Sequence, residues 1–430
     1  MADSRENPPG LVQLREGYPD LPLFLGPFQA EVFEAVDRLV VSPGIPLHEP
    51  CIRMAQERGV EVIGDIELFA RAVGAPLVAI TGSNGKSTVT SLVGEMAREA
   101  GLKVAVGGNL GEPALDLLAD GVQLYVLELS SFQLETTRSL RATAAVVLNV
   151  SPDHMDRYAD LDEYATTKAL IYRDAETAVV NRDDQRVAGF ALKNEKIIGF
   201  TLEQPRAGDF GLCDYRGTDW LCRAAVGQAA SALAAKDEEE MLLAVNTLRI
   251  PGRHNLANAL AALALGSAVG LPRLAMQAAL CSFNGLPHRT QWVAEKHRMQ
   301  WYNDSKGTNV GATLAALQGL HPRSGDSRTV LIAGGDCKGA DFTPLAAVVE
   351  MTARAVILIG RDAPQLEAVL RGRITLAHAK TLQEAVALAV DLGRAGDRVL
   401  LSPACASFDM FDNFEARGEA FIQAVGALAA

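Results

Sequence analysis

The octapeptide TGSNGKST, Thr81 to Thr88, follows the apolar run PLVAI and precedes VTSLVGEMAREAG. Strand, glycine-rich turn and helix in this order are a common way to hold phosphate. Glycines let backbone N–H groups come close, and the helix N-terminus adds a positive field. The full pattern G-x-x-x-x-G-K-[ST] is only partly met, because Ile80 stands where the first glycine belongs and Gly82 lies inside the loop. The other parts are present. Gly82, Ser83, Asn84 and Gly85 form the turn, Lys86 can neutralise the β- and γ-phosphates of ATP, Ser87 can ligate Mg²⁺, and Thr88 continues into the helix. The competing reading is an ordinary strand–turn–helix corner with a solvent-facing lysine.

Magnesium needs further hard oxygen donors. Glu128 closes the apolar run in YVLELSSFQLE, where a carboxylate serves either as a metal ligand or as the negative charge that favours the next helix. The run AAVVLNV leads into SPDHMDRY and brings His154 to the same sheet edge, where open α/β sheets bind ligands. A lone histidine is more often structural than ligating. Lys168 in TTKALIY, taken by itself, reads as a surface lysine.

The elements that must position these residues follow from an alternation of short apolar runs with amphipathic stretches, the pattern of a parallel sheet flanked by helices. RLVVSPG, PLVAITG, LYVLELS, AAVVLNV, TAVVN, TVLIAGG, AVILIG and DRVLLSP read as strands. TVTSLVGEMAREAG, DEYATTKALIYRD, ANALAALALGSAVG and TLQEAVALAVDLGRAG read as helices, the last two ending near glycine. The acidic run KDEEE, residues 236–240, reads as a solvated turn. Breaks near GDIELFARAVGAP and at SFNGLPHRT divide the chain into residues 1–64, 65–285 and 286–430.

The composition narrows the function class. A length of 430 residues suits two to four domains, and a net charge of -12 leaves no basic footprint for nucleic acid. No apolar run reaches about 18 residues, so no membrane span is expected. MADSRENPPG lacks the basic-then-apolar order of a signal peptide. Cys51, Cys213, Cys222, Cys281, Cys337 and Cys405 show no CxxC spacing, which argues against a zinc knuckle or a disulfide framework. The expectation is a soluble cytoplasmic protein.

TGSNGKST, LELSSFQLE, NVSPDHMDRY, TTKALIY, GRHNLANALAA, GLPHRTQW, NDSKGTN and GGDCKGADF together resemble the motifs of the Mur ligase family. The tail LSPACASFDMFDNFEARGEAF is most similar to the family's D-glutamate-adding branch, and the Asn-Pro-Arg signature of the diaminopimelate-adding branch is absent. The resemblance implies an α/β protein of three domains. These are a truncated Rossmann-like N-terminal domain, a central P-loop ATPase domain with a mostly parallel sheet, and a C-terminal Rossmann-like domain. It also implies a reaction, in which ATP phosphorylates the carboxylate of UDP-N-acetylmuramoyl-L-alanine and the D-glutamate amine attacks the acyl phosphate.

Residue roles follow from the same resemblance. Ser87 and Glu128 would hold one magnesium. His154 and a carbamylated Lys168 would serve a second, which reverses the surface-lysine reading. Asn255 and Asn258 would face the adenine and ribose, although either could instead cap the Ala-rich helix. Arg289, Asp304, Lys306 and Asp336 would close the nucleotide cleft from the last domain. Thr308, Lys338, Ser407 and Phe414 would receive D-glutamate, Asn109 and His154 the sugar-peptide, and Ser42 and Gly44 the UDP. A monomer is expected, with its last domain closing over ATP.

The match is incomplete at the start. Family members open with a strand, a Gly-rich turn and a helix, whereas MADSRENPP resembles the end of the second strand, with Asp3, Ser4 and Arg5 at the uridine-contacting stretch. One βα unit of roughly 30 residues is expected to be missing. Two other readings compete with the ligase: a folylpolyglutamate synthetase-like enzyme, and a non-catalytic P-loop nucleotide binder. The second would have no need of the His154–Lys168 pair.

Overall fold

The computed structural model describes all residues except 35, 156, 192, 226–238, 251, 322–325, 338 and 430. Its centre is a nine-stranded sheet. From one edge, the strands Val104–Gly108, Leu124–Glu128, Leu77–Thr81, Ala144–Val147, Thr177–Asn181, Lys196–Phe200 and Phe210–Tyr215 run parallel to their neighbours. Thr218–Ala224 and Glu239–Ala244 extend the other edge antiparallel.

Both faces of the sheet are sealed, as parallel pairing demands. Leu77 and Ala79 enter one apolar cluster with Phe69 and Ile171, while Val78 and Ile80 enter another with Leu92, Met96, Leu260 and Met276. The helices Lys86–Glu99, Arg253–Ala268 and Arg273–Ser282 supply the second cluster, and Asp65–Ala72 packs into the first. Strand order reverses around Leu77–Thr81, which lies between Leu124–Glu128 and Ala144–Val147. Its C-terminal end is therefore a topological switch point, where such sheets leave a crevice.

The last part of the chain forms a six-stranded sheet in the order Gln291–Lys296, Met299–Asn303, Arg398–Leu401, Thr329–Gly334, Ala353–Ile359, Thr375–His378. Its opening hairpin is antiparallel and the rest is parallel. The first part is slighter. Ala2–Asp3 pairs with Phe24–Leu25, and Arg38–Val40 pairs with Glu61–Ile63, both parallel, but the two pairs belong to separate sheets. A cavity of about 640 Å³ is lined by residues from both pairs.

Three expectations need correction. Glu239 and Glu240 open the strand Glu239–Ala244 rather than lying in a solvated turn, and residues 236–238 lie outside the described residues. DEYATTKALIYRD is not one helix: an α-helix Leu161–Ala169 is followed by a tighter turn, Leu170–Tyr172. Cys213 and Cys222 are joined by a disulfide across the hairpin of Phe210–Tyr215 and Thr218–Ala224. Spacing along the chain could not show that pairing, which depends on strand register. Among the described residues no helix is long and apolar enough to cross a membrane.

Candidate active site

The phosphate loop leaves Leu77–Thr81 at Gly82 and enters Lys86–Glu99 after Gly85. Gly85 has φ 86°, and a Cβ there would stand 2.4 Å from the Asn258 side-chain oxygen. Only glycine combines that backbone with that approach. Lys86 folds back over the loop, its Nζ donating to the carbonyls of Gly82 (2.8 Å) and Ser83 (3.0 Å). Asn149 clamps the loop from the neighbouring strand end, accepting from the Asn84 amide at 2.9 Å and donating to its carbonyl at 3.0 Å.

Ser87 Oγ donates to Glu128 Oε2 at 2.5 Å, Asn109 donates to the other Glu128 oxygen at 2.8 Å, and Arg289 reaches in from the last domain to Ser87 Oγ at 2.6 Å. Burial works against the Glu128 charge. The Lys86 field and the bonds from Ser87 and Asn109 outweigh it and hold the carboxyl below its ordinary range. Asn109, expected on the sugar-peptide, here orients the metal-ligand candidate.

Among the described residues four basic side chains crowd this edge. Burial lowers the proton affinity of Lys86, Lys168, Lys306 and Arg289, and for each of them no other influence is as large. Lys306 comes down to about 8, with Arg289 and Lys86 adding repulsion. Its Nζ sits 3.9 Å from the centre of the Phe414 ring. Lys168 is 1% exposed, so the surface-lysine reading fails, and its Nζ lies over the Tyr164 ring at 4.5 Å. Burial, with the Lys86 charge adding to it, pushes the Lys168 amine well below its ordinary range.

Near it stands Asp153, a residue the sequence reading passed over although it lies inside SPDHMDRY. Its charge acts on both Lys86 and Lys168, and it accepts from Asn309 at 3.2 Å. His154 has φ 56°, a left-handed conformation that a non-glycine residue keeps only when its surroundings impose it. Its ring packs edge-on against Phe132, and Nε2 is 3.9 Å from Asp153.

The last domain supplies the opposite wall. A cavity of about 310 Å³ is lined by Asn84, Gly85, Thr88, Asn255, Asn258, Arg289, Asp304 and Lys306. All of these were expected at the nucleotide. Asn149, Asn181, Phe200 and His254 line it too, and the sequence reading missed them. Asn258 donates to Asn255 at 3.2 Å. The Ala-rich helix is capped by Gly252 without a side-chain bond, so neither asparagine serves as its N-cap. Asp304, buried, accepts from Ser402 at 2.7 Å and from the Thr290 amide at 3.0 Å, and burial pushes its carboxyl up to about 6. Asp336 is not among the lining residues; it pairs with Arg361 at 3.1 Å.

Of the expected amino-acid pocket, Thr308 is half-buried, Ser407 is buried, and Phe414 begins the helix Phe414–Gly426. Lys338 lies outside the described residues. Arg417 is another residue the sequence did not advertise. It is 1% exposed and donates to the carbonyls of Ser305, Cys405 and Ala406 at 2.8 to 3.1 Å, tying the loops that carry Thr308 and Ser407. In the first domain, Asp3, Ser4, Arg5, Ser42 and Gly44 all line the cavity of about 640 Å³. Arg157 joins that domain to the centre, bonding the carbonyls of Pro43 (3.2 Å) and Ile45 (3.3 Å) and Glu135 (2.9 Å).

A cation-lined phosphate loop facing a second α/β domain is the architecture of an ATP-dependent ligase, and comparison with known proteins gives the family. Residues 1–64 match the description "Mur ligase MurD-like, N-terminal domain", residues 80–266 "Mur ligase middle domain", and residues 288–405 "Mur ligase, glutamate ligase domain". The chain belongs to the Mur ligase family.

Among its relatives, the UDP-N-acetylmuramoylalanine–D-glutamate ligase of Nitrosococcus oceani is 56% identical over 424 residues, covering 98% of this chain and 90% of that protein. The enzyme of the same name from Pseudomonas putida is 51% identical, over 100% of this chain and 92% of its own. Solved structures share the fold at lower identity. A pseudomurein peptide ligase type C from Methanothermus fervidus superposes with TM-score 0.62 at 17% identity, over 98% and 93% of the two chains. The MurF ligase of Thermotoga maritima in complex with ADP gives 0.61 at 18%, over 87% and 90%.

Proposed function

We propose that this chain joins D-glutamate to UDP-N-acetylmuramoyl-L-alanine, converting ATP to ADP and phosphate through an acyl phosphate, in peptidoglycan precursor synthesis in the cytoplasm. One observation carries the chemistry: four buried basic side chains, Lys86, Arg289, Lys306 and Lys168, gather around the phosphate loop with lowered proton affinity. Glu128 and Asp153 offset only part of that group, and a triphosphate facing a carboxylate supplies further anions. The relatives' names supply the substrates.

In this reading the Lys86 ammonium leaves its own loop carbonyls for phosphate oxygens, while Arg289 and Lys306 neutralise the γ-phosphoryl as it moves to the acceptor carboxylate. The D-glutamate amine then attacks the acyl carbon, phosphate leaves with the C–O electrons, and the nitrogen gives up a proton to solvent as the amide forms. Thr308, Ser407, Phe414 and Lys338 would hold the amino acid. Asp3, Ser4, Arg5, Ser42 and Gly44, which share one cavity, would hold the UDP.

The Ser87 hydroxyl and Glu128 carboxylate, 2.5 Å apart beside the loop, are a hard-oxygen pair of the kind magnesium takes. They would hold one ion, which neutralises phosphate charge when bound. Lys168 fits carbamylation, because only a neutral amine can attack CO₂, forming an N–C bond and releasing a proton. With His154, that carbamate would hold a second ion. We keep the domain division at 1–64, 65–285 and 286–430, and a monomer.

The test is phosphate release from ATP, Mg²⁺, UDP-N-acetylmuramoyl-L-alanine and D-glutamate, omitting each in turn. Release that needs all of them is expected. Release with folate and L-glutamate instead would favour the folylpolyglutamate synthetase-like reading, and ATP binding without any turnover would favour a non-catalytic binder.

A further inference from the structure

The helix Val310–Leu320 of the last domain meets the central domain at both ends. At its start, Asn309 donates to Asn84 and to Asp153, each at 3.2 Å, so the third domain rests directly on the phosphate loop. At its far end it meets His254, the second residue of the central helix Arg253–Ala268. The His254 ring faces the Ala315 backbone, and among the described residues its sealed Nδ1 has no hydrogen-bond partner.

The ring sits in a seat made by two glycines, one from each domain. A Cβ at Gly319 would lie 3.0 Å from Nδ1, 3.1 Å from Cε1 and 3.2 Å from the Gly252 Cα; a Cβ at Gly252 would lie 2.8 Å from Cε1. Contacts near 3 Å leave no room for a methyl group unless the helices move apart. His254 and Ala315 both line the cavity that the reading above assigns to ATP.

We propose that His254 is the latch of the closed form, a positioning residue that sets the spacing of the two helices forming the nucleotide cavity. It does so by seating its ring between Gly252 and Gly319. The proposal rests on ATP occupying that cavity. His254 would do no chemistry: its Nδ1 is sealed inside the helix contact.

Gly319→Ala tests the seat. Gly319 is helical without positive φ, so alanine should favour the helix itself, and a folding defect is not the expected result. We expect the KM for ATP to rise about tenfold with kcat changed less, since misplacing a wall by a fraction of an ångström weakens binding before chemistry. His254→Ala should have a similar effect, while His254→Gln, which keeps a flat polar side chain of similar size in the seat, should stay within about threefold of wild type.

The double variant His254→Ala/Gly319→Ala is the decisive measurement. Because the new methyl would enter the space the ring vacated, its KM should match that of the His254→Ala single variant rather than the product of two defects. A normal KM in Gly319→Ala, or multiplicative effects in the double variant, overturns the latch while ATP saturation of the wild type still upholds the nucleotide reading. Failure of the wild type to bind ATP in direct titration would overturn both.

Discussion

The central sheet and the N-terminal segment are both parallel α/β pieces, yet they differ in depth. Every residue of Leu77–Thr81 is buried, whereas Arg38–Val40 leaves Val40 56% exposed, and Val12, Tyr18 and Phe24 of the first segment are exposed too. The buried apolar cluster of the first segment consists of Val41, Ile52 and Val62; those of the centre seal two full sheet faces. The contrast shows where buried charge can be kept. Lys86, Lys168 and Glu128 lose hydration at several kcal/mol each, and only a deep, well-packed region can hold them so. The first segment offers its residues from the two-residue strand Ala2–Asp3 and from loops, partly held by Arg157 from next door.

The comparison breaks most sharply at Lys86. Lys86→Ala is expected to cut ATP-dependent phosphate release at least about 10³-fold, since it removes charge from the transferring phosphoryl group. Retained turnover would mean that the incomplete loop pattern at Ile80–Ser87 does not hold the triphosphate. Lys168→Ala should cost about 10²- to 10³-fold in ligation and leave ATP affinity nearly unchanged. Partial recovery with a small added carboxylate is expected, because it replaces the carbamate's oxygens. Ordinary ligation by that variant would remove the carbamate from the mechanism, and unrescued loss would point to packing against Tyr164.

The pH profile sharpens the same contrast. Lys306 titrates at about 8 and Asp304 at about 6, both shifted mainly by burial. The lysine is charged below its value and loses that charge as pH rises through about 8; the aspartate is charged above its value and loses it as pH falls through about 6. The kcat/KM for ATP should therefore be bell-shaped, maximal between those values and falling about tenfold per pH unit outside them. Lys306→Arg should extend the alkaline side, because a guanidinium stays charged. A flat profile from pH 6 to 9 would show that neither group governs capture of ATP.

How much of this could be read in advance depends on what each residue needs. The strands around the phosphate loop were legible because continuous apolar runs of four to six residues have few other uses. Lys86 and Ser87 were legible through the glycine-lysine-serine pattern after such a run, and Glu128 because it ends one. Lys168 was not legible from its own surroundings: TTKALIY has no pattern that separates a buried lysine from an exposed one, and only the family resemblance placed it. Asn149, Asp153, Arg157 and Arg417 matter through partners far along the chain, such as the Pro43 carbonyl for Arg157, and a sequence does not print distances. The Cys213–Cys222 pair was hidden for the same reason, since it depends on hairpin register.

Arg157 marks the line between the two regions, and its removal should act on binding rather than on chemistry. Its guanidinium lies 4.4 Å over the Phe132 ring and bonds the Pro43 and Ile45 carbonyls, so it braces the loop carrying Ser42 and Gly44 against the wall that also supports His154. Arg157→Ala leaves every phosphate-facing group in place. Its expected effect is a rise of about tenfold in KM for the UDP-sugar substrate, with KM for ATP and kcat changed less than about threefold. Arg157→Lys should recover little, since one ammonium cannot keep the planar bonds to two carbonyls and Glu135 while stacking on Phe132. A fall in kcat of the same size as the rise in KM would put Arg157 in the chemistry through His154, and the first segment would then share the mechanism instead of merely delivering the substrate.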